Sequence, residues 1–159
     1  MKNKLALIFN IGSSSIKLEA FEVETAQSIY QLNQPSQDIE NDLIKILQNI
    51  PFPHHNVAIT GHRVVHGGPN METTEVIDKK VIKVIQEQSQ KAPIHNPINL
   101  LGITLAQKYF KSALHYACFD TGFFKTLPPA IQTLAIPKIW RDKYQMQKYG
   151  FHGLNHQFI

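Results

Sequence analysis

Apolar residues recur along this chain in two rhythms, and their order predicts an α/β fold. Leu5 to Phe9 is a continuous apolar run, the pattern of a strand buried on both faces. Asn10-Ile11-Gly12-Ser13-Ser14-Ser15 breaks it with turn residues. Ile16, Leu18, Ala20 and Phe21 to Val23 then resume as a strand, with Lys17 and Glu19 alternating outward. Strand, Gly-Ser turn and strand make a hairpin, and Ser28 to Leu32 adds a third short strand. From Asp38 to Ile50 the spacing becomes helical, with Ser36 or Asp38 as cap and Pro51-Phe52-Pro53 as the stop. Val57 to Val65 reads as a strand, and Glu75 to Lys91 as a helix closed by Pro93. Asn96-Pro97 opens a helix reaching Tyr109 or Phe110. Ala113 to Phe119 is a buried strand ending at Asp120. Beyond it, prolines punctuate a loop, Lys138 to Tyr144 forms a short helix, and Tyr149-Gly150-Phe151-His152-Gly153 turns. Asn155 to Ile159 resembles the first turn of a helix. Strands first, then strands alternating with helices, predict a mixed sheet flanked by helices.

Within that pattern, Gly61-His62-Arg63-Val64-Val65-His66-Gly67-Gly68 stands out. Alternation along the strand puts His62, Val64 and His66 on one face, Arg63 and Val65 on the other. An arginine beside an apolar side chain suits a small carboxylate with a short alkyl tail, because guanidinium presents a planar fork of donors. An edge strand carrying a surface ion pair is the plainer reading.

Composition narrows the classes. The chain has 159 residues, 43% hydrophobic and 18% charged, as expected of one globular domain or two very small ones. No linker or repeat divides it, so residues 1–159 are read as a single domain. Its net charge of +4 is scattered rather than striped, which argues against nucleic acid as a partner. Cys118 is the only cysteine and lies in an apolar run, so it reads as a buried, inert thiol in a reducing compartment. The N-terminal apolar run is too short for a signal peptide, and no run is long enough to span a membrane, so the cytoplasm is expected.

Several positions could carry chemistry. The Gly12 turn can offer backbone N–H groups to phosphate oxygens, with Lys17 as a point charge, although it lacks the P-loop pattern and an ordinary hairpin turn is the plainer reading. Asp120 ends a strand where open α/β sheets place ligands, or it merely caps the next segment of chain. His95 lies on a loop between helices. His62 with His66, and His152 with His156, are each spaced four apart, but no HExxH or cysteine set accompanies them, which argues against zinc. Charge stabilisation beside a glycine turn is the better functional reading for His152.

Five segments fall in order: Asn10 to Lys17, Gly61 to Gly68, Ala92-Pro93-Ile94-His95-Asn96-Pro97, Phe119-Asp120-Thr121, and Tyr149 to Gly153. Together they resemble the N-terminal half of the acetate kinases, in the superfamily of sugar kinases, Hsc70 and actin. The resemblance implies a ribonuclease H-like mixed sheet and reversible phosphoryl transfer from ATP to acetate, giving acetyl phosphate and ADP. It implies that Asp120, Arg63, His95 and His152 are catalytic, and that Gly12, Ser13, Ser15 and Lys17 face the nucleotide phosphates. It also implies that Arg63, Val65, Ile94 and Phe151 hold the substrate, and that Asn10 lies near Mg2+ or Mn2+. The intact enzyme would be a homodimer. Three departures stand out: Phe124 replaces a family histidine, Leu154-Asn155 replaces Thr-Ser, and the segment between Val23 and Val57 is short. They leave propionate, or a non-catalytic interaction domain, as alternatives. The family's second half supplies an adenosine pocket, a second arginine and a metal-binding glutamate. Without them, this chain is expected to be inactive alone and to expose apolar surface that promotes self-association.

Overall fold

A computed structural model describes residues 4–159. Its centre is a six-stranded mixed sheet in the order β3-β2-β1-β4-β6-β5. β1 (Leu5–Ile11) and β2 (Ser15–Glu22) form the expected hairpin, with Ile11 opposite Ile16, and the Gly12 amide donates to the Ser15 carbonyl (2.9 Å) to close the turn. β3 (Ser28–Pro35) pairs antiparallel with β2 and runs past the expected end at Leu32. β4 (Val57–Val64) is parallel to both β1 and β6 (Leu114–Phe119), so it is central and the edge-strand reading is wrong.

Alternation decides which face is buried. Leu5, Leu7, Phe9 and Ile11 point to one side and join Ile16 and Leu18 in a core with α1 (Ile39–Gln48) and α3 (Asn96–Tyr109). Full burial of a side chain such as Phe9 or Leu7 contributes ~1.5–3 kcal/mol. Val64, Ala117 and Phe119 continue this face toward α2 (Lys79–Gln88) and pack with Val81, Ile85 and Ile103. The opposite face carries Ile8, Asn10, Lys17 and Arg63. Asp38 caps α1 by accepting from the Asn41 amide at 3.2 Å, whereas Ser36 donates to Asp42 (2.7 Å).

The helix expected over Glu75 to Lys91 is corrected. Thr74–Val76 forms β5, antiparallel to β6, and α2 starts only at Lys79. The Asp78 side chain accepts from the Val81 amide at 2.8 Å, which fixes the helix start and leaves the β-branched residues before it free to pair. After β6 the chain makes a 3-10 helix (Asp120–Thr126), then α4 (Pro129–Gln132), α5 (Lys138–Tyr144) and α6 (Gly153–Phe158). The last helix thus begins two residues before Asn155. No helix among the described residues is long and apolar enough to cross a membrane.

Candidate functional site

The parallel strands β1, β4 and β6 end together, bringing Asn10 and Arg63, each one residue before its strand's end, and Asp120, the residue after β6, to one place. This is where open parallel sheets present ligands, because the connecting loops splay apart at the carboxyl ends. Arg63 donates from Nε to Asp120 Oδ1 and Oδ2 (3.3 and 3.2 Å) and from Nη2 to Oδ2 (2.7 Å). Its Nη1 donates to Asn10 Oδ1 at 3.2 Å. The Asp120 side chain is only 1% exposed, while that of Arg63 is 29% exposed. The pair is therefore fixed from below and wet from above, with the guanidinium between buried acid and solvent.

His152 completes the cluster. Arg63 Nη2 donates to His152 Nδ1 (3.3 Å), which requires the lone pair on Nδ1 and leaves the ring proton on Nε2. The histidine backbone is left-handed (φ 58°, ψ 27°) at the start of α6, a conformation that costs on the order of 1 kcal/mol for a residue with a Cβ. Gly153 follows it by necessity. A Cβ there would lie 2.0 Å from the Asp120 carbonyl oxygen, so only glycine lets α6 approach closely enough.

Around this cluster opens a cleft of ≈ 500 Å³. Gly12 and Ser13 form one wall, Val65, Ile94 and Phe151 are its apolar lining, and His95 stands at its rim. Ile94 and Phe151 are 62% and 42% exposed, so the apolar side remains open. A second cleft of ≈ 480 Å³ lies on the other side of Arg63, bounded by Ile8, Asn10, Leu154 and Asn155. The structure thus brings together Asn10, Gly12, Ser13, Arg63, Val65, Ile94, His95, Asp120, Phe151 and His152.

Lys17 and Ser15 sit apart from the main cleft. Lys17 pairs with Asn10 across the β1–β2 ladder, and both line a separate depression on the open sheet face with Glu19 and Gln31. Ser15 begins β2 and contributes its carbonyl to the Gly12 turn. Of the departures, Phe124 packs on Phe123 and His156 (ring centroids 5.1 and 6.0 Å). That contact engages His156 away from His152, and no cluster of three or more metal-ligating His, Cys, Asp or Glu occurs among the described residues.

Sequence reasoning missed four residues here. Asn99 accepts from the Val65 amide and donates to the Ile11 carbonyl, while Asn96 bonds both backbone groups of His66. Thr121 accepts from the Gly67 amide at 3.0 Å. Lys91 lines the cleft, its ammonium 5.3 Å from the centre of the Tyr149 ring. For Asn96 and Asn99 the available signal was polar residues on the buried side of a helix, which must find partners.

The two histidines flanking Arg63 in sequence are structural. His62 stacks on Phe9 (4.6 Å), and the Thr60 hydroxyl bridges its Nε2 to His115 Nδ1. Burial, and then the neighbouring His115, push the His62 pKa down to about 3. His66 lies beneath Tyr149 at 4.5 Å and accepts from the Gly68 amide through Nδ1. Burial, and then the Lys91 charge, lower it to about 4. Burial pushes the Cys118 thiol up, though the residue is only partly covered.

Residues 29–159 match the model of the Acetokinase family. The chain belongs to that family. Acetate kinase from Thermotoga maritima is 32% identical over 183 aligned positions, covering 96% of this chain and 45% of the relative. The Flavobacterium johnsoniae acetate kinase is 33% identical, with 96% and 46% covered. Among solved structures, acetate kinase from Entamoeba histolytica superposes with a TM-score of 0.82 at 29% identity, covering 98% of this chain and 44% of that one. A propionate kinase from Francisella tularensis gives 0.80 at 27%, covering 97% and 46%. The chain therefore spans a little under half the length of the family members it matches. The 183-position alignment also exceeds the 159 residues here, so this member lacks segments its relative has.

Proposed function

We propose that this chain is the carboxylate- and phosphoryl-handling half of a kinase that transfers phosphate reversibly from ATP to acetate, forming acetyl phosphate and ADP. The observation that carries this reading is the Arg63 fork, held by buried Asp120, tied to Asn10 and His152, and open to an apolar cleft. Acetate is already an anionic nucleophile, so the main barrier is repulsion between carboxylate and phosphate. Phosphoryl transfer asks for positioning and for positive groups around the moving oxygens.

In this reading Arg63 binds the carboxylate or the phosphoryl group in flight, and Val65, Ile94 and Phe151 receive the methyl group. Asp120 orients Arg63 and the acetate. His152, carrying its proton on Nε2, donates to the transferring oxygens, and His95 serves from the rim. Ser13 offers its backbone donor to nucleotide phosphates, Gly12, whose own amide closes the turn on Ser15, lets them approach the backbone closely, and Ser15 and Lys17 are reached from the far side of the hairpin. Asn10, beside Asp120 at the mouth of the second cleft, carries a hard oxygen of the kind that suits Mg2+ or Mn2+ shared with substrate phosphates. Such an ion would offset charge on those phosphates.

The adenosine pocket is assigned to the half of the family's length not represented here, with residues 1–159 as the N-terminal domain. The whole enzyme is read as a cytoplasmic homodimer, which would cover exposed apolar side chains such as Ile139, Trp140 and Tyr144. Propionate is the second reading, favoured by the open apolar wall, since one methylene in a pocket is worth only ~1–3 kcal/mol.

The test is acetyl phosphate formation by the purified chain, alone and mixed with the separately expressed C-terminal half of a relative. No turnover alone, and turnover in the mixture that Arg63→Ala abolishes, is expected. Turnover near ordinary enzyme rates by the chain alone would overturn the division of labour. Activity in the mixture that is indifferent to Arg63 would overturn the site.

A further inference from the structure

The cleft has two walls from distant parts of the chain, and one buried side chain touches both. The Gly12–Ser13 wall leaves β1 at Ile11, and the apolar wall leaves β4 at Val65. Neither point belongs to a strand ladder that could fix it against the other: β4 ends at Val64, and Ile11 closes the hairpin with Ile16 on its other side. Asn99, 5% exposed on α3, accepts from the Val65 amide (3.2 Å) and donates to the Ile11 carbonyl (3.0 Å). One turn later on the same helix, a Cβ on Gly102 would lie 2.6 Å from Ile11 Cδ1, so α3 is seated directly on Ile11. Asn96, one turn earlier, holds the amide and carbonyl of His66 at 3.1 and 2.9 Å.

We infer that Asn99 is a positioning residue that sets the separation of the two cleft walls and couples a ligand on the Gly12–Ser13 turn to one on the Arg63–Val65 side. The inference rests on the reading of the cleft proposed above. An amide is suited to the task because its oxygen only accepts and its nitrogen only donates, so each wall receives one defined bond. Both bonds are buried, where a missing partner is costly and geometry is therefore well defined. In phosphoryl transfer, small errors in the approach of the two reactants lose rate steeply, which gives such a brace something to act on.

The experiment is amide NMR of the 159-residue chain titrated separately with inorganic phosphate and acetate. In the unaltered chain, phosphate should shift Gly12, Ser13, the Asn99 side-chain amide and Val65, and acetate should shift the same set from the other end. Asn99→Asp keeps an acceptor for Val65 but has no donor for Ile11. It should retain phosphate shifts at Gly12 and Ser13 and lose their echo at Val65. Gly102→Ala, which crowds Ile11 without altering Asn99, should lose the same echo, so the test survives if the first variant does not fold. Variants that melt earlier yet keep the echo would reduce Asn99 to a structural role and overturn the inference alone. No shift at Gly12 and Ser13 in the unaltered chain would overturn the reading of the cleft, and this inference with it.

Discussion

Asp120 is buried against Arg63 and accepts from two of its nitrogens, yet the arginine remains partly exposed at the cleft. The asymmetry matters, because removing either partner leaves the other in a different state. Without Arg63 the carboxylate is buried and unpaired, whereas without Asp120 the guanidinium can reach water.

Arg63→Ala should therefore destabilise the fold by about 3 kcal/mol, the lower end for a buried pair because water reaches one side. Asp120→Ala should cost less, and the double variant should recover part of the Arg63→Ala loss. Urea denaturation of the three variants checks the cycle, and strict additivity would contradict the pairing.

Gly153→Ala should lift α6 away from Asp120, since its Cβ would occupy the space of the Asp120 carbonyl. The helix is short and packs chiefly on the 3-10 helix that follows β6, so it should detach rather than unfold the sheet. The expected signs are faster proteolysis beyond Tyr149, loss of the Arg63–His152 bond by NMR, and a small change in Tm. His152→Gly, by contrast, removes the left-handed strain and should gain roughly 1 kcal/mol, at the expense of the ring.

Acid should weaken the fold through His62 and His66. Their folded pKa values, about 3 and about 4, lie below the ordinary 6.5, so between those limits the unfolded chain binds more protons. Stability then rises with pH across that window and falls as pH drops from 6.5 toward 4, by on the order of a few kcal/mol per histidine. Urea midpoints measured from neutral pH down to about pH 5 should show the fall, and His66→Phe should make it shallower while leaving the part due to His62.

Cys118 should react slowly with maleimide at neutral pH, because burial raises its pKa and depletes the thiolate. Rapid labelling once urea unfolds the chain is expected. Native labelling as fast as a small free thiol would show that β6 opens easily.

Much of the arrangement was legible from local pattern. The period-two alternation of β1 and β2, the helical spacing of α1 and the proline-started α3 depend on which residues neighbour one another, and they were read correctly. The same alternation separated Arg63 from His62 and His66, and the structure keeps that division, with both histidines buried. The segment from Glu75 was misread because Thr74–Val76 takes its strand form from pairing with Tyr116 to Cys118, some forty residues away. Its helical spacing was real only from Lys79 onward.

The candidate site divides in the same way. Sequence alone determined the residue types and their order: the Gly-Ser turn, the arginine strand, His95, Asp120 and the His152 turn. Tertiary structure decided which of them meet, because Arg63 contacts Asn10, Asp120 and His152 across separations of 53, 57 and 89 residues. It set Lys17 on a different part of the sheet face and revealed Asn99 as the link between the walls. Sequence pattern records which face a side chain takes within its own element. The separation of two elements depends on what is packed between them, and here that is an asparagine whose partners are backbone groups, which leave no mark in side-chain identity.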